Sequence, residues 1–287
     1  MRLAFLGTPD AAVPPLRALV EAGHEVELVV TRADKRRGRG SSLTPSPVKA
    51  AALELGLPVT TDVDAVLGRD LDLGVVVAFG RIIKPHVLAE LRMVNVHFSL
   101  LPRWRGAAPV ERAVLAGDAE TGVCLMEVAE GLDEGGVYAQ ERTPVGPEET
   151  VDELRQRLVE IGTRLLVERL DAGLGDPVPQ QGEITYATKL APEELHLDWH
   201  EPAARCHARV RLGRAWTEFA GGRLRVTRAT LGRGGPAGEP GEVDADLTVA
   251  CGDGRRLQLL EVQPAGRNPM PATAWANGAR PVGQRLG

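Results

Sequence analysis

Residues 1–31, MRLAFLGTPDAAVPPLRALVEAGHEVELVVT, decide the fold. Arg2–Gly7 is a short apolar run of strand length. Pro14–Ala22 follows with Leu16, Leu19 and Val20 at helical spacing, and Gly23-His24 closes it. Glu25–Thr31 returns as a second apolar run, so the order is that of a β-α-β unit. Farther out, Ser46-Pro47 opens a helix over Val48–Leu55, ended by Gly56 with Pro58 beyond it. Leu73–Phe79 is apolar throughout, as in a parallel strand covered on both faces. The alternation predicts an open α/β domain whose ligands sit beyond the carboxyl ends of the strands. Its first turn, LGTPDAAVP, has one glycine where a dinucleotide fingerprint needs G-x-G-x-x-G, which argues against NAD or FAD.

The 287 residues exceed one typical domain. Helical pattern continues over Val151–Leu170, after which Gly173, Gly175, Pro177, Pro179 and Gly182 crowd a linker. Beyond it, Pro202–Leu212 reads as a helix. Arg223–Ala229, Leu247–Cys251 and Arg255–Val262 read as strands, the last two joined across Gly252-Asp253-Gly254. A small β-barrel is the expectation there, a fold that commonly binds oligonucleotides. The expected division is residues 1–176, a linker at 177–190, and residues 191–287.

With 43% hydrophobic and 25% charged residues, the chain is not disordered in bulk. Leu73–Phe79 is its longest strongly apolar stretch, far below the ~20 residues of a membrane helix. The N-terminal apolar run meets Asp10 too early for a secretory signal. Cys124, Cys206 and Cys251 lack metal-ligand spacing. The expected protein is soluble and cytoplasmic, without a membrane partner. Residues 1–188 carry net −8 and residues 189–287 net +3, so overall charge argues against general nucleic-acid binding. One basic run interrupts the acidic part: RADKRRGRGSSLTPSPVK, Arg32–Lys49, with Asp34 its single acid. Taken alone, such a run is a solvated loop.

The chemistry concentrates in Met93–Val110, MVNVHFSLLPRWRGAAPV. If Val94–Phe98 is a strand, Asn95 and His97 share one face, with Cα atoms roughly 6.6–7 Å apart. Both side chains then converge on one reacting atom. The spacing fits equally a strand end whose Asn and His are satisfied near water. Pro102 stops the strand, and Arg103, Trp104, Arg105 and Gly106 read as an exposed turn. A second polar cluster, VCLMEVAEGLDEGG over Val123–Gly136, runs a strand into an acidic loop holding Glu130, Asp133 and Glu134. An Asp there can orient His97; the same loop also reads as a solvated turn. His196 and His200 lie four apart, but HLDWH lacks the glutamate of a zinc motif, and no metal is expected.

Together, FLGTPD, NVHFSLLPRWRGAAPV, GLDEGG, TYATKL and HLDW resemble the folate-dependent formyltransferases over essentially the whole chain. The resemblance implies a Rossmann-like formyl-transfer domain followed by an OB-like β-barrel. It implies transfer of formyl from 10-formyltetrahydrofolate to the α-amino group of methionine on initiator tRNA, with no obligate protein partner. Position by position, the family's catalytic Asn, His and Asp fall on Asn95, His97 and Asp133. Its folate-contacting run matches Ser99, Leu100, Leu101 and Pro102. Arg81, Ile82 and Ile83, with Val128, Glu130 and Gly131, then border the pterin. By this resemblance Asn95 and His97 both donate hydrogen bonds to the oxygen of a tetrahedral intermediate, and Asp133 holds His97.

In the same light the basic run becomes a tRNA contact through Arg36, Arg37 and Arg39. Arg103 and Arg105 then approach the terminal nucleotides. Lys189, with Arg209, Arg211, Arg223 and Arg225, supports the acceptor stem. Two departures stand out: Glu134-Gly135-Gly136 replaces the family's Thr-Gly-Asp, and LGRAWTEF replaces a proline-containing turn. The alternatives are formylation of a nucleotide-linked amino sugar, which the basic run disfavours, and a folate- or RNA-binding module without turnover.

Overall fold

The computed structural model describes residues 1–36, 43–232 and 238–287. The chain forms two compact units. The first comprises Met1–Pro109, Glu120–Pro144 and Arg155–Thr188; the second comprises Val110–Ala119, Val145–Leu154 and Lys189–Gly287.

The first unit is a seven-stranded sheet of β1 (Arg2–Gly7), β2 (Glu25–Val30), β3 (Val59–Thr60), β4 (Leu73–Val77), β5 (Met93–His97), β7 (Glu120–Glu127) and β8 (Val137–Pro144). A two-residue strand β6 (Arg105–Gly106) lies outside it and pairs in parallel with β9 (Tyr186–Ala187). The order is β8-β7-β5-β4-β1-β2-β3. Strands β1 to β5 run parallel, with β7 and β8 antiparallel at one edge. Helices α1 (Val13–Glu21), α2 (Pro47–Glu54) and α3 (Pro85–Glu90) make the crossovers. Each parallel strand predicted from an apolar run is present, and β4 is buried along its whole length. Ser46 starts α2 as expected: its hydroxyl accepts the Lys49 N–H at 3.0 Å, and Pro47 sits at the first turn.

Strand β8 was not legible in the sequence. It is an edge strand, VYAQERTP, with charged and polar residues interrupting its apolar positions, as exposed edges require. The sheet has its switch point at β1, whose neighbours β2 and β4 lie on opposite sides. The crevice at such a point opens at the carboxyl ends of the strands, where β5 delivers His97.

The second unit is built on an antiparallel sheet, as the OB-like expectation requires. Its order is β10 (Trp216–Phe219), β11 (Gly222–Leu231), β13 (Arg256–Pro264) and β12 (Thr248–Ala250), with β14 (Met270–Pro271) on β13. The hairpin across Gly252–Gly254 pairs Ala250 with Arg256. The core includes Leu197, Trp199, Val226, Val249, Leu257 and Trp275. Trp199 Nε1 is satisfied by the Thr217 hydroxyl at 3.0 Å. All three cysteines are buried and free. Among the described residues no helix is long and apolar enough to cross a membrane.

Candidate active site

The strand β5 sets Asn95 opposite Val76 and Met126, and His97 opposite Cys124. The period of two places Asn95 and His97 on one face, as the spacing predicted. Asn95 is half-buried, and its side chain bonds to no other described residue. His97 is 5% exposed. Beyond the strand, the buried Ser99 hydroxyl donates to the Arg103 carbonyl at 2.7 Å and closes a tight turn. That turn presents the Trp104 carbonyl to His97 Nε2 at 2.9 Å. Trp104 itself has φ +64°, and its N–H donates to the Thr185 hydroxyl at 2.9 Å.

Asp133 arrives on the loop after β7 with φ +50°, a conformation that Asp tolerates better than most residues. Its Oδ2 accepts the Gly106 N–H at 2.7 Å and lies 3.6 Å from His97 Nδ1. The pairing expected between His97 and Asp133 is therefore in place at ion-pair range. Because a carbonyl only accepts, the Trp104 contact puts a hydrogen on His97 Nε2. Nδ1 faces the carboxylate at a separation too long for a hydrogen bond. Nε2 of His97 is taken up by the Trp104 carbonyl, whereas the Asn95 side chain has no partner among the described residues.

The loop GLDEGG fits closely. A Cβ on Gly135 would lie 2.0 Å from the Glu127 carbonyl oxygen, so only glycine allows the loop to double back on β7. A Cβ on Gly136 would meet Pro177 Cβ at 2.8 Å. The 177–178 segment occupies that space and bridges Val178 to Val137 with N–O distances of 2.8 and 2.9 Å. The stretch read as a linker is thus fastened to the first unit as far as β9.

Gln180 in that stretch gives no signal in the sequence. Its Nε2 donates to the carbonyls of Asp133 and Gly135, both at 2.8 Å. Its Oε1 accepts from Arg105 Nε and Nη2 at 3.1 and 2.7 Å. Arg105 therefore departs from the exposed turn expected of it. It is 8% exposed, lies in β6, and spends its guanidinium on Gln180 rather than on a phosphate. Arg103 lies over the Trp104 ring at 4.4 Å.

Of the expected folate run, Ser99, Leu101 and Pro102 are buried and Leu100 is half-buried. Leu101 packs with Cys124 and Met126, where burial pushes the Cys124 thiol up to about 11. That thiol is an uncharged core group. The two other expected runs meet: Ile83 is buried with Phe79 and Met93, and Val128 packs on the same cluster. Arg81 is held by the Thr61 carbonyl at 2.7 Å, and Ile82 is 87% exposed. The backbone groups of Ile82, Ile83, Ala129 and Glu130 bond to no other described residue. Glu130 is exposed and Gly131 half-buried.

Of the basic residues, Arg36 and Lys189 are exposed, while Arg37 and Arg39 lie outside the described residues. Arg209 pairs with Glu201, and Arg211 donates to the Glu149 and Gly146 carbonyls at 2.7 Å each. Arg223 lies over the Trp216 ring at 4.0 Å. Among the described residues no group of three or more His, Cys, Asp and Glu gathers in metal-binding range.

A Rossmann-like sheet ending in an Asn-x-His strand, with an Asp loop folded against it, agrees with what the chain matches. The family described as formyl transferase matches residues 1–170, and its C-terminal domain matches residues 189–280. The chain belongs to the formyl transferase family. Within that family, the methionyl-tRNA formyltransferase of Heliobacterium modesticaldum is 45% identical over 311 residues, covering 98% of each chain. Two solved structures share the fold. An N-formyltransferase from Helicobacter canadensis, in complex with folinic acid and dTDP-3-aminofucose, is 17% identical with a TM-score of 0.71, covering 91% of this chain and 98% of that one. HypX from Aquifex aeolicus, in complex with tetrahydrofolic acid, is 19% identical with a TM-score of 0.67; 96% of this chain aligns to 47% of that one.

Proposed function

We infer that this chain transfers the formyl group of 10-formyltetrahydrofolate to the α-amino group of methionine on initiator tRNA. The observation that carries this reading is the 45% identity, over 98% of both chains, to a methionyl-tRNA formyltransferase. The approach of Asp133 to His97, with Asn95 on the same face of β5, supports it.

The residues fit a folate. The backbone groups of Ile82, Ile83, Ala129 and Glu130 have no partner among the described residues, and their neighbours Phe79, Ile83 and Val128 share one apolar cluster. A flat ring with donors and acceptors on its edge matches such a set. Leu100 and the exposed Ile82 add apolar contact.

The donor supplies an electrophilic formyl carbon whose oxygen gains negative charge as an amine adds. Asn95, without a partner among the described residues, donates its amide N–H to that oxygen. His97 Nδ1 accepts the proton that the amine gives up, directly or through one water. Asp133 Oδ2, 3.6 Å from Nδ1, then faces the charged ring, while the Gly106 N–H keeps the carboxylate in position. No stronger base is needed, since an α-amino group ordinarily titrates near 7.7–8.0 and is partly neutral at physiological pH. Arg36, Arg103 and Lys189 supply the proposed tRNA contacts through phosphates. The buried Arg105 leaves that set.

The test offers the purified chain 10-formyltetrahydrofolate with charged initiator methionyl-tRNA, a nucleotide-linked amino sugar, or water. Formyl-methionyl-tRNA as the dominant product is the expected result. Transfer to the sugar or to water alone overturns the assignment of the acceptor.

A further inference from the structure

We propose that Gln180 is a positioning residue for formyl transfer, setting the Asp133 loop against His97 through its two carbonyl contacts. The proposal rests on the functional reading above. Its geometry is a relay with one consistent direction. A guanidinium only donates and a carbonyl only accepts, so Gln180 must turn its oxygen to Arg105 and its nitrogen to Asp133 and Gly135.

Each link answers a local need. Asp133 sits at φ +50°, and a left-handed residue outside glycine persists when its surroundings hold it. One side-chain amide spans the carbonyls on either side of Glu134, so the turn cannot open without losing both bonds. Arg105, 8% exposed, is the buried anchor for the amide oxygen. Its own backbone is fixed by the Arg105 N–H to the Thr185 carbonyl at 2.9 Å. Gly106, next in the chain, completes the circuit by donating its N–H to Asp133 Oδ2 at 2.7 Å. The Asp133 carboxylate is thereby held from its backbone by Gln180 and from its oxygen by Gly106. Both supports converge on β6. Thr185 holds the Trp104 N–H from the same segment, so the stretch 180–187 fixes the partners of both ring nitrogens of His97.

Gln180→Glu tests the relay. It keeps the length of the side chain and an acceptor for Arg105, but sets a carboxylate oxygen against two carbonyls. Three readouts are taken: steady-state formylation, hydrogen exchange of the Gly106 amide, and the same change in an Asp133→Ala background. The expected fall in kcat is roughly 10- to 100-fold with little change in KM for either substrate, the scale of loss when a reacting group is misplaced. The Gly106 amide is expected to exchange faster, since its acceptor has moved. In the Asp133→Ala background the substitution is expected to cost nothing further within about twofold, because both changes act on one group.

Unchanged Gly106 exchange, or a full additional loss in the Asp133→Ala background, overturns the proposal. If the glutamate variant does not fold, Gln180→Ala carries the same expectations, since it removes both carbonyl contacts and the acceptor for Arg105. A wild-type chain that formylates nothing overturns the functional reading instead, and Gly106 exchange then decides on its own whether Gln180 holds the loop.

Discussion

Replacing Asn95 with alanine separates catalysis from stability. The side chain is half-buried and bonds to no other described residue, so its removal orphans no partner and leaves no closed cavity. The expected change in stability is within ~0.5 kcal/mol, as for substitutions away from core and network features. In the proposed mechanism its amide N–H is the donor to the developing oxyanion, with His97 Nε2 given to the Trp104 carbonyl at 2.9 Å. Loss of one preorganised oxyanion donor lowers turnover by about 10²–10³, or ~2.7–4 kcal/mol of transition-state stabilisation. The deficit is expected in kcat, with KM for the folate and for charged tRNA nearly unchanged, because the charge on the oxygen exists only as the amine adds. Asn95→Asp is expected to be worse than alanine, since it points a lone pair at the same oxygen. The assay is the initial rate of formyl-methionyl-tRNA formation at saturating and limiting substrate, beside a thermal melt. A variant with wild-type kcat, or one impaired through KM alone, refutes the donor role.

Gly135→Ala places a Cβ 2.0 Å from the Glu127 carbonyl oxygen, so the Asp133 loop must shift. A loss of about 1–3 kcal/mol of stability from overpacking is expected, seen as a lower melting temperature, together with reduced kcat; wild-type values in both would show that the loop yields freely. Binding of charged tRNA is expected to weaken steeply with salt, and Arg36→Ala or Arg103→Ala to reduce the slope of log K against log salt by about one each. Folate KM should stay put in both variants, and a salt-independent tRNA affinity would remove the phosphate contacts. Burial and the neighbouring amino terminus hold the His24 imidazole below its ordinary 6.5, against the weaker pull of Asp171. The unfolded chain then binds that proton more readily than the folded one. The stability His24 contributes is present above pH 6.5 and is lost as pH falls through its folded value. Urea midpoints above and below that pH should diverge in the wild type and converge in His24→Gln; equal divergence in both would assign the effect elsewhere.

What the sequence determined by itself was whatever depends on neighbours along the chain. Apolar runs such as Arg2–Gly7 and Leu73–Val77 must be strands covered on both faces, and Ser46-Pro47 must begin a helix. Asn95 and His97 share a face because a strand repeats every two residues. Those local rules, with the resemblance carried by the motifs, were enough for the α/β class and for naming Asn95, His97 and Asp133 as the candidate site. The tertiary structure decided the partners. Trp104 turns its carbonyl to His97 Nε2, a contact that no spacing in the sequence announces. Arg105 looks like a surface cation beside Arg103, yet it is buried against Gln180 from far along the chain. The edge strand Val137–Pro144 carries too little alternation to be read until β7 lies beside it. A periodic pattern reports which side of an element meets the core. It carries no record of which distant carbonyl or amide will come to satisfy a buried polar group, and in this site those pairings set the chemistry.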